Sequence, residues 1–284
     1  MFISDKWQDY EVLDSGCGMK LERWGEVILA RPDPQVIWPR TSPAGWQKAD
    51  GTYTRSADGG GSWQFSRRLP ERWTIGYRGL KFYVKPTGFK HTGLFPEQAA
   101  NWDWMRGLIK NRPGATVLNL FAYTGGATLA CMMAGAHVTH VDAAKGMVRW
   151  AKENRELTGA PENQCRFITE DAQAFVQREL RRGRRYDGIL MDPPSYGRGP
   201  GGEVWKLEEA LYPLADLCAQ LLSDNPLFFL INGYTTGFQP TVLANILRLT
   251  AQARFGGKID AQELCLPVTS GGFLPAGASG RWQP

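Results

Sequence analysis

The pattern of apolar and polar positions changes character near residue 96. Before that point the apolar residues come in short segments. Examples are Glu26-Val27-Ile28-Leu29-Ala30 and Lys81-Phe82-Tyr83-Val84, separated by punctuation such as Arg31-Pro32-Asp33-Pro34 and Gly59-Gly60-Gly61-Ser62. Short strands broken by turn signals predict a small β-rich domain over residues 1–86. After Pro96 longer elements alternate. Glu97 to Ile109 reads as a helix, Thr116-Val117-Leu118-Asn119-Leu120-Phe121 as a strand, and Ala127 to Ala134 as an almost wholly apolar helix. Val138 to Val141 is a second strand, after which Met147, Trp150, Ala151, Asn154 and Leu157 recur at helical spacing. Arg166-Phe167-Ile168, Gly188-Ile189-Leu190-Met191 and Leu227 to Ile231 read as strands three to five. One helix through Phe175 and Leu180 and another carrying Leu214, Cys218, Leu221 and Leu222, opened by Pro213, separate them. Val242 to Leu249 reads as a further helix, and the segments Ile259 to Leu266 and Phe273 to Leu274 as two closing strands. Strands alternating with helices predict an α/β domain over residues 87–284, its parallel sheet covered on both faces.

Composition narrows the class. The chain has 284 residues, 43% hydrophobic and 21% charged, an ordinary globular balance. No apolar run approaches the roughly 20 residues of a membrane helix, and the first residues lack the charged-then-apolar order of a secretion signal. Five cysteines lie far apart with no CxxC pair and no clustered histidines, so neither a disulfide framework nor a metal site is expected. A cytoplasmic protein with free thiols follows. The net charge of +5 permits a nucleic-acid partner without requiring one. The charge is uneven: Arg67, Arg68, Arg72, Arg78, Lys81, Lys85 and Lys90 share their stretch with one acid, Glu71. A second basic run, Arg178 to Arg185, ends a predicted helix, where cations are favoured in any case.

The chemistry is expected at the carboxyl ends of the strands, where open α/β sheets bind ligands. Strand one runs into Phe121-Ala122-Tyr123-Thr124-Gly125-Gly126, whose glycines permit a tight turn beside a ligand. Strand two ends in Asp142, at the spacing of an acid that accepts hydrogen bonds from two ribose hydroxyls. Strand three ends in Glu170-Asp171, placed for an adenine amino group, and strand four in Asp192-Pro193-Pro194-Ser195-Tyr196. Each feature has a plain alternative, since Gly-Gly after a strand is often a turn and an acid there is often a helix N-cap. Four at successive strand ends favour a nucleoside-bearing cofactor, and the absence of GxGxxG argues against a dinucleotide. A second glycine-rich stretch, Val12-Leu13-Asp14-Ser15-Gly16-Cys17-Gly18, is followed by too few residues for a crossover helix and is read as a hairpin turn.

Together Asn119-Leu120-Phe121-Ala122-Tyr123-Thr124-Gly125-Gly126, Val141-Asp142 and Asp192-Pro193-Pro194-Ser195 resemble class I S-adenosylmethionine (SAM)-dependent methyltransferases. More narrowly they resemble the bacterial group that modifies large-subunit ribosomal RNA on cytosine C5 or guanine N7. That group carries a KTGxxxDQ segment before strand one, and this chain has His91-Thr92-Gly93-Leu94-Phe95-Pro96-Glu97-Gln98, with His for Lys and Glu for Asp. The resemblance covers residues 88–235. It implies a Rossmann-like seven-stranded sheet whose last strand is antiparallel, with S-adenosyl-L-methionine as cofactor. It implies that Thr92, Gln98, Asn119, Phe121, Tyr123, Gly125, Asp142, Asp171 and Asp192 line the cofactor pocket. Residues 1–86 do not match that group's RNA-binding domain.

Two substrate classes stay open. RNA, ribosomal by resemblance, would be held by Arg67, Arg68, Arg72, Lys81 and Lys90 together with N-terminal aromatics, phosphates meeting the cations and unpaired bases the rings. Otherwise Trp24, Trp38, Trp63 and Trp73 are core residues, the charges form a solvated face, and the enzyme acts on a protein or small molecule. In that case the N-terminal domain is a lid or dimer surface. Methylation at carbon 5 of a pyrimidine requires a thiolate to add at carbon 6. The cytosine-C5 relatives place a Cys after strand five, and another arrangement places it after the strand-four proline. Here those places read Asn232-Gly233-Tyr234-Thr235-Thr236 and Asp192-Pro193-Pro194-Ser195, without Cys. Direct in-line transfer to a nitrogen or an oxygen remains, with Asp192 and the Pro193 carbonyl accepting a substrate N–H and Tyr196 stacking on the base. The Gly197-Arg198-Gly199-Pro200-Gly201-Gly202 loop reads either as a cover that closes over substrate or as a plain surface loop.

Overall fold

The computed structural model describes residues 1–56, 60–198, 204–235 and 237–284. Two units emerge: residues 3–100 with 265–276, and residues 1–2, 101–264 and 277–284. Strand β1 (Phe2–Ile3) opens the chain.

The first unit is a β structure. Strands β2 (Tyr10–Gly16), β3 (Met19–Trp24), β4 (Val27–Pro32), β5 (Gly51–Arg55) and β6 (Gly61–Phe65) make a five-stranded sheet in sequence order, with β6 at one edge. A one-turn helix α1 (Pro43–Trp46) lies between β4 and β5, and β7 (Trp73–Tyr77) with β8 (Leu80–Val84) forms a separate hairpin. The glycine-rich stretch around Cys17 is the predicted hairpin: Gly16 pairs with Met19, and Cys17 and Gly18 both take positive φ (53° and 74°), as a two-residue turn demands. Cys17 sits there at some conformational cost, since only glycine adopts this region freely. Trp24 is fully buried, and the half-buried Trp38, Trp63 and Trp73 each donate an indole N–H to a backbone carbonyl. The interior also holds a buried ion pair. Glu22 receives Arg31 through two hydrogen bonds (2.6 and 2.7 Å) and the Tyr10 hydroxyl at 2.7 Å.

Helix α2 (Ala99–Lys110), preceded by a 3-10 turn at Pro96–Gln98, carries the chain from the first unit into the second. Then β9 (Thr116–Leu120), α3 (Gly126–Met132), β10 (His137–Asp142), α4 (Lys145–Thr158), β11 (Cys165–Thr169), α5 (Ala172–Arg181) and β12 (Gly188–Met191) alternate as expected. A short hairpin, β13 (Tyr196–Arg198) and β14 (Val204–Lys206), precedes α6 (Leu207–Gln220), β15 (Phe228–Gly233) and α7 (Pro240–Leu247). Strands β16 (Lys258–Pro267) and β17 (Phe273–Gln283) finish the chain. The large sheet runs β1-β16-β17-β15-β12-β9-β10-β11. The strands β15, β12, β9, β10 and β11 are parallel, and β17 is antiparallel to β15. The sheet has eight strands where the resemblance implies seven, the additional one being the two-residue β1.

Two elements differ from the sequence reading. Helix α6 begins at Leu207, and Pro213 lies inside it. The buried stripe of Leu207, Leu211, Leu214 and Cys218 continues through the proline, whose missing N–H removes one helical hydrogen bond. Strand β17 extends far beyond Phe273-Leu274 because pairing with β15, from Phe229↔Trp282 to Gly233↔Ala278, holds a segment whose glycines have little strand preference alone. Part of the glycine-rich loop after β13 lies outside the described residues.

Candidate active site

The strand order fixes where a ligand can sit. β9 is flanked by β10 on one side and β12 on the other, so the winding direction reverses between β9 and β12. At such a switch point the loops leaving the carboxyl ends diverge and open a crevice. The two loops here are Phe121–Gly126 and Asp192–Tyr196, both singled out from sequence.

The first loop is backbone-strained and firmly anchored. Phe121 (φ 55°) and Tyr123 (φ 50°) are left-handed although neither is glycine, and Gly125 has φ 88°. Two such non-glycine residues cost on the order of 1–3 kcal/mol each and persist where the surroundings impose them. The surroundings are visible. Asn154, fully buried on α4, donates its side-chain amide to the Thr124 carbonyl at 2.9 Å. Ala122 N–H bonds the Val141 carbonyl at 3.0 Å, and Tyr123 N–H bonds the Asp142 carboxylate at 2.8 Å. Gly126 has a packing reason: a Cβ there would stand 2.6 Å from the Trp102 ring of α2.

Asp142 ends β10 with one carboxylate oxygen on the Tyr123 N–H and the other on the Ala144 N–H, both at 2.8 Å. Burial pushes its pKa up, and these two backbone donors only partly oppose the shift. The two backbone donors fix the acid in place, and each oxygen retains a lone pair suited to a ligand hydroxyl. This matches what the ribose of an adenosyl group requires. Asp171 caps α5, accepting from Ala174 N–H at 2.9 Å, and Glu170 is taken by Arg178. Both therefore show the plainer reading of an acid after a strand, although one Asp171 oxygen remains beyond the cap. The Asn119 side chain points into the interior, where its amide donates to the Thr128 hydroxyl (2.9 Å), which in turn contacts His140 Nδ1 at 2.9 Å. It supports the loop from beneath. Burial lowers the His140 pKa to about 3, so the imidazole in this relay is neutral.

The second loop follows β12. Pro193 is buried and Asp192 half-buried, while Tyr196 begins β13 and is 54% exposed. Two residues that the sequence did not single out brace this loop. Trp205 of β14 donates its indole N–H to the Pro194 carbonyl at 2.7 Å and packs on the Phe121 ring, centroids 5.1 Å apart. Thr235 donates to the Ser195 hydroxyl at 2.6 Å from the segment after β15. Asn232, at the end of β15, accepts from the Asn101 amide at 3.0 Å. Asn154 was detectable as the polar member of an apolar helical stripe. Trp205 and Thr235 carry no comparable signal, because their roles depend on a hairpin and a strand end meeting the loop in space.

Thr92, Gln98 and the cationic stretch fold with the first unit. Thr92 is fully buried, its hydroxyl without a hydrogen-bond partner among the described residues. Gln98 is buried at the end of the 3-10 turn. Arg67 is paired with Asp50 at 2.5 and 3.1 Å, and Arg72 lies over the Tyr83 ring at 3.9 Å. Arg68 and Lys81 are exposed. Lys90 is half-buried; burial and then Lys20 lower its pKa to about 8. Among the described residues no His, Cys, Asp and Glu grouping can hold a metal ion, and no helix is long and apolar enough to cross a membrane.

A doubly wound sheet with an anchored acid at the end of its second strand and Asp-Pro-Pro-Ser at the end of its fourth defines the methyltransferase class of nucleoside-cofactor enzymes. The family model described as S-adenosylmethionine-dependent methyltransferase matches residues 47–233, and the chain belongs to that family, whose cofactor is SAM. A SAM-dependent methyltransferase structure from Agrobacterium tumefaciens is 38% identical and superposes with a TM-score of 0.93 over 99% of this chain and 93% of that one. A putative SAM-dependent methyltransferase from Streptococcus mutans, 19% identical with a TM-score of 0.76 over 98% of this chain and 76% of that one, shares the fold. Ribosomal RNA large subunit methyltransferase K/L of Shewanella sp. (strain MR-4) is 32% identical over 212 residues, which are 72% of this chain but 28% of the relative. Ribosomal RNA large subunit methyltransferase K of Neisseria meningitidis serogroup B is 31% identical over 154 residues, 53% of this chain and 43% of the relative. The chain thus spans less than half the length of these curated relatives.

Proposed function

We propose that this methyltransferase acts on RNA, at a base nitrogen, by direct in-line transfer. The observation that carries the reading is the Asp192-Pro193-Pro194-Ser195 loop at the switch point, with no thiol there or after β15. Of the five cysteines four are buried or partly buried, and the fifth, Cys17, is exposed in the β2–β3 turn of the first unit. Cys131 and Cys218 are fully buried, and burial pushes the Cys131 thiol up to about 12 and the Cys218 thiol higher still. Cys165 is likewise raised to about 12 by burial, and Cys265 is buried. The names of the ribosomal RNA relatives support RNA as the substrate class.

The cofactor supplies a methyl on a sulfonium sulfur. The protein's part is alignment. Asp142 holds the ribose, and Asp192 with the Pro193 carbonyl accepts hydrogen bonds from the substrate N–H, turning the nitrogen lone pair toward the methyl. Tyr196 covers the base. Alignment of this kind is worth on the order of 7–11 kcal/mol of barrier. The test is transfer of labelled methyl from SAM into total RNA and total protein, followed by digestion of the RNA to nucleosides. An N-methylated nucleoside is expected, and a variant with every Cys changed to Ser or Ala keeps measurable activity. Label in 5-methylcytosine or 5-methyluracil, or a covalent enzyme–RNA adduct, overturns the nitrogen reading; label confined to protein overturns the RNA reading.

A further inference from the structure

The five-stranded sheet of the first unit ends at β6, an edge strand that carries an aromatic array unused by the chemistry above. Trp63 and Phe65 are two residues apart on β6 and so share one face. Their rings lie nearly parallel (6°), with centroids 5.8 Å apart. Each is held. Trp63 donates its indole N–H to the Thr87 carbonyl at 2.9 Å and meets Tyr53 edge-on at 5.4 Å. Phe65 lies on Gly51, where a Cβ would stand 2.9 Å from its ring. Despite that support Phe65 is 49% exposed. The Phe89 carbonyl also approaches the Trp63 indole N–H, at 3.3 Å, and Phe89 is 68% exposed. Phe65 further lines a groove with Arg67, Arg68, Glu71 and Pro86. Arg67 is engaged by Asp50, while Arg68 is exposed.

Rigid aromatic rings with open faces, set beside cations, are the arrangement that binds unpaired bases: the rings stack on bases of any sequence and the cations meet the backbone. A hydrophobic protein partner would be served by the rings alone and gains nothing from Arg67, Arg68 and the rest of the 67–90 basic stretch. We propose that Phe65, stacked on Trp63 and flanked by Arg68, together with the exposed Phe89 forms a base-stacking platform for a single-stranded segment of the RNA substrate. This rests on the RNA reading above and assigns it a surface on the first unit.

The experiment compares the full-length protein with Phe65→Leu, Phe89→Leu and the double variant. Leucine keeps an apolar cover over Gly51 but has no π face. The probe is a short unstructured polyuridine RNA, with SAM affinity measured by calorimetry on the same samples. Each substitution is expected to weaken RNA binding about tenfold, with SAM affinity unchanged. Arg68→Glu is expected to weaken RNA further and to reduce the salt dependence. Unchanged RNA affinity in the double variant, with wild-type binding intact, overturns the platform and leaves the function standing. Failure of the wild-type protein both to bind RNA at low salt and to methylate it overturns the RNA reading itself.

Discussion

Glu22 in the first unit and Asp142 in the second are both buried carboxylates, and burial alone would raise the pKa of each. Their outcomes are opposite. For Glu22 the effect of burial is exceeded by the Arg31 guanidinium, aided by Lys20, and the carboxyl is held down at about 2. For Asp142 only backbone N–H groups oppose burial, and the pKa stays raised. Glu22 has Arg31 on both oxygens and Tyr10 on one of them, so a cation and a hydroxyl of the protein already face it. Asp142 is oriented by the protein and left with acceptor capacity. An acid whose folded pKa lies above its unfolded value costs stability at neutral pH, when both states are ionised. Donors from a bound ligand offset that cost. What faces each carboxylate, a guanidinium for Glu22 and backbone N–H groups for Asp142, sets its pKa more than how deeply it is buried.

The largest effect is expected at the second loop. Asp192→Ala should lower methyl transfer by about 10²–10⁴-fold while SAM binding is retained in large part, measured by single-turnover transfer and calorimetry side by side. Equal loss of binding and turnover would place Asp192 with the cofactor instead.

The two carboxylates should then separate cleanly. Glu22→Gln leaves Arg31 buried with half its partner and should cost about 3–5 kcal/mol in chemical unfolding. Asp142→Ala should leave the fold intact and weaken SAM tens-fold or more, through loss of two charge-assisted hydrogen bonds of roughly 1.5–3 kcal/mol each. If calorimetry on a folded Asp142→Ala protein shows native SAM affinity, the ribose assignment falls.

Acid sharpens the same contrast. A depressed carboxyl contributes stability above its unfolded pKa and loses it as pH falls through the folded one. For Glu22 that window runs from the ordinary 4.5 down to about 2. The acid-induced loss of stability in this window should shrink in Glu22→Gln and persist in Asp142→Ala. Unfolding free energies across the window decide it.

The smallest effect is expected at the hairpin. Trp205→Phe keeps a ring against Phe121 but loses the N–H to the Pro194 carbonyl. One such hydrogen bond is worth about 0.5–1.5 kcal/mol, so kcat should fall a few-fold with the KM for SAM nearly unchanged. A change in KM alone would show that the indole serves the cofactor loop and not the catalytic one.

The alternation of periods in residues 97–274 was enough to place β9, β10, β11, β12 and β15 and to predict a parallel sheet, because strands buried on both faces and amphipathic helices leave distinct local patterns; the β13–β14 hairpin left none. The position of the candidate residues at strand ends was legible for the same reason: Phe121–Gly126 and Asp192–Tyr196 each follow a recognisable strand, and Asp142 ends one. The hairpin at Cys17 and Gly18 was legible from the short run that follows it. Sequence alone left three matters undecided. Pro213 signals a helix start, but tertiary burial of Leu207 and Leu211 carries α6 through it. Glu170 looks like a ligand acid, yet Arg178 claims it, while Asp171 gives one oxygen to the α5 N-terminus and keeps the other, because hydrogen-bond partners compete in space and not along the chain. Segment 275–283 has weak strand preference and becomes β17 only against β15. Local sequence determines which elements can form and where chemistry-bearing residues leave them. Only the folded arrangement decides which polar groups are consumed by neighbours and which, like Asp142, keep capacity for a ligand.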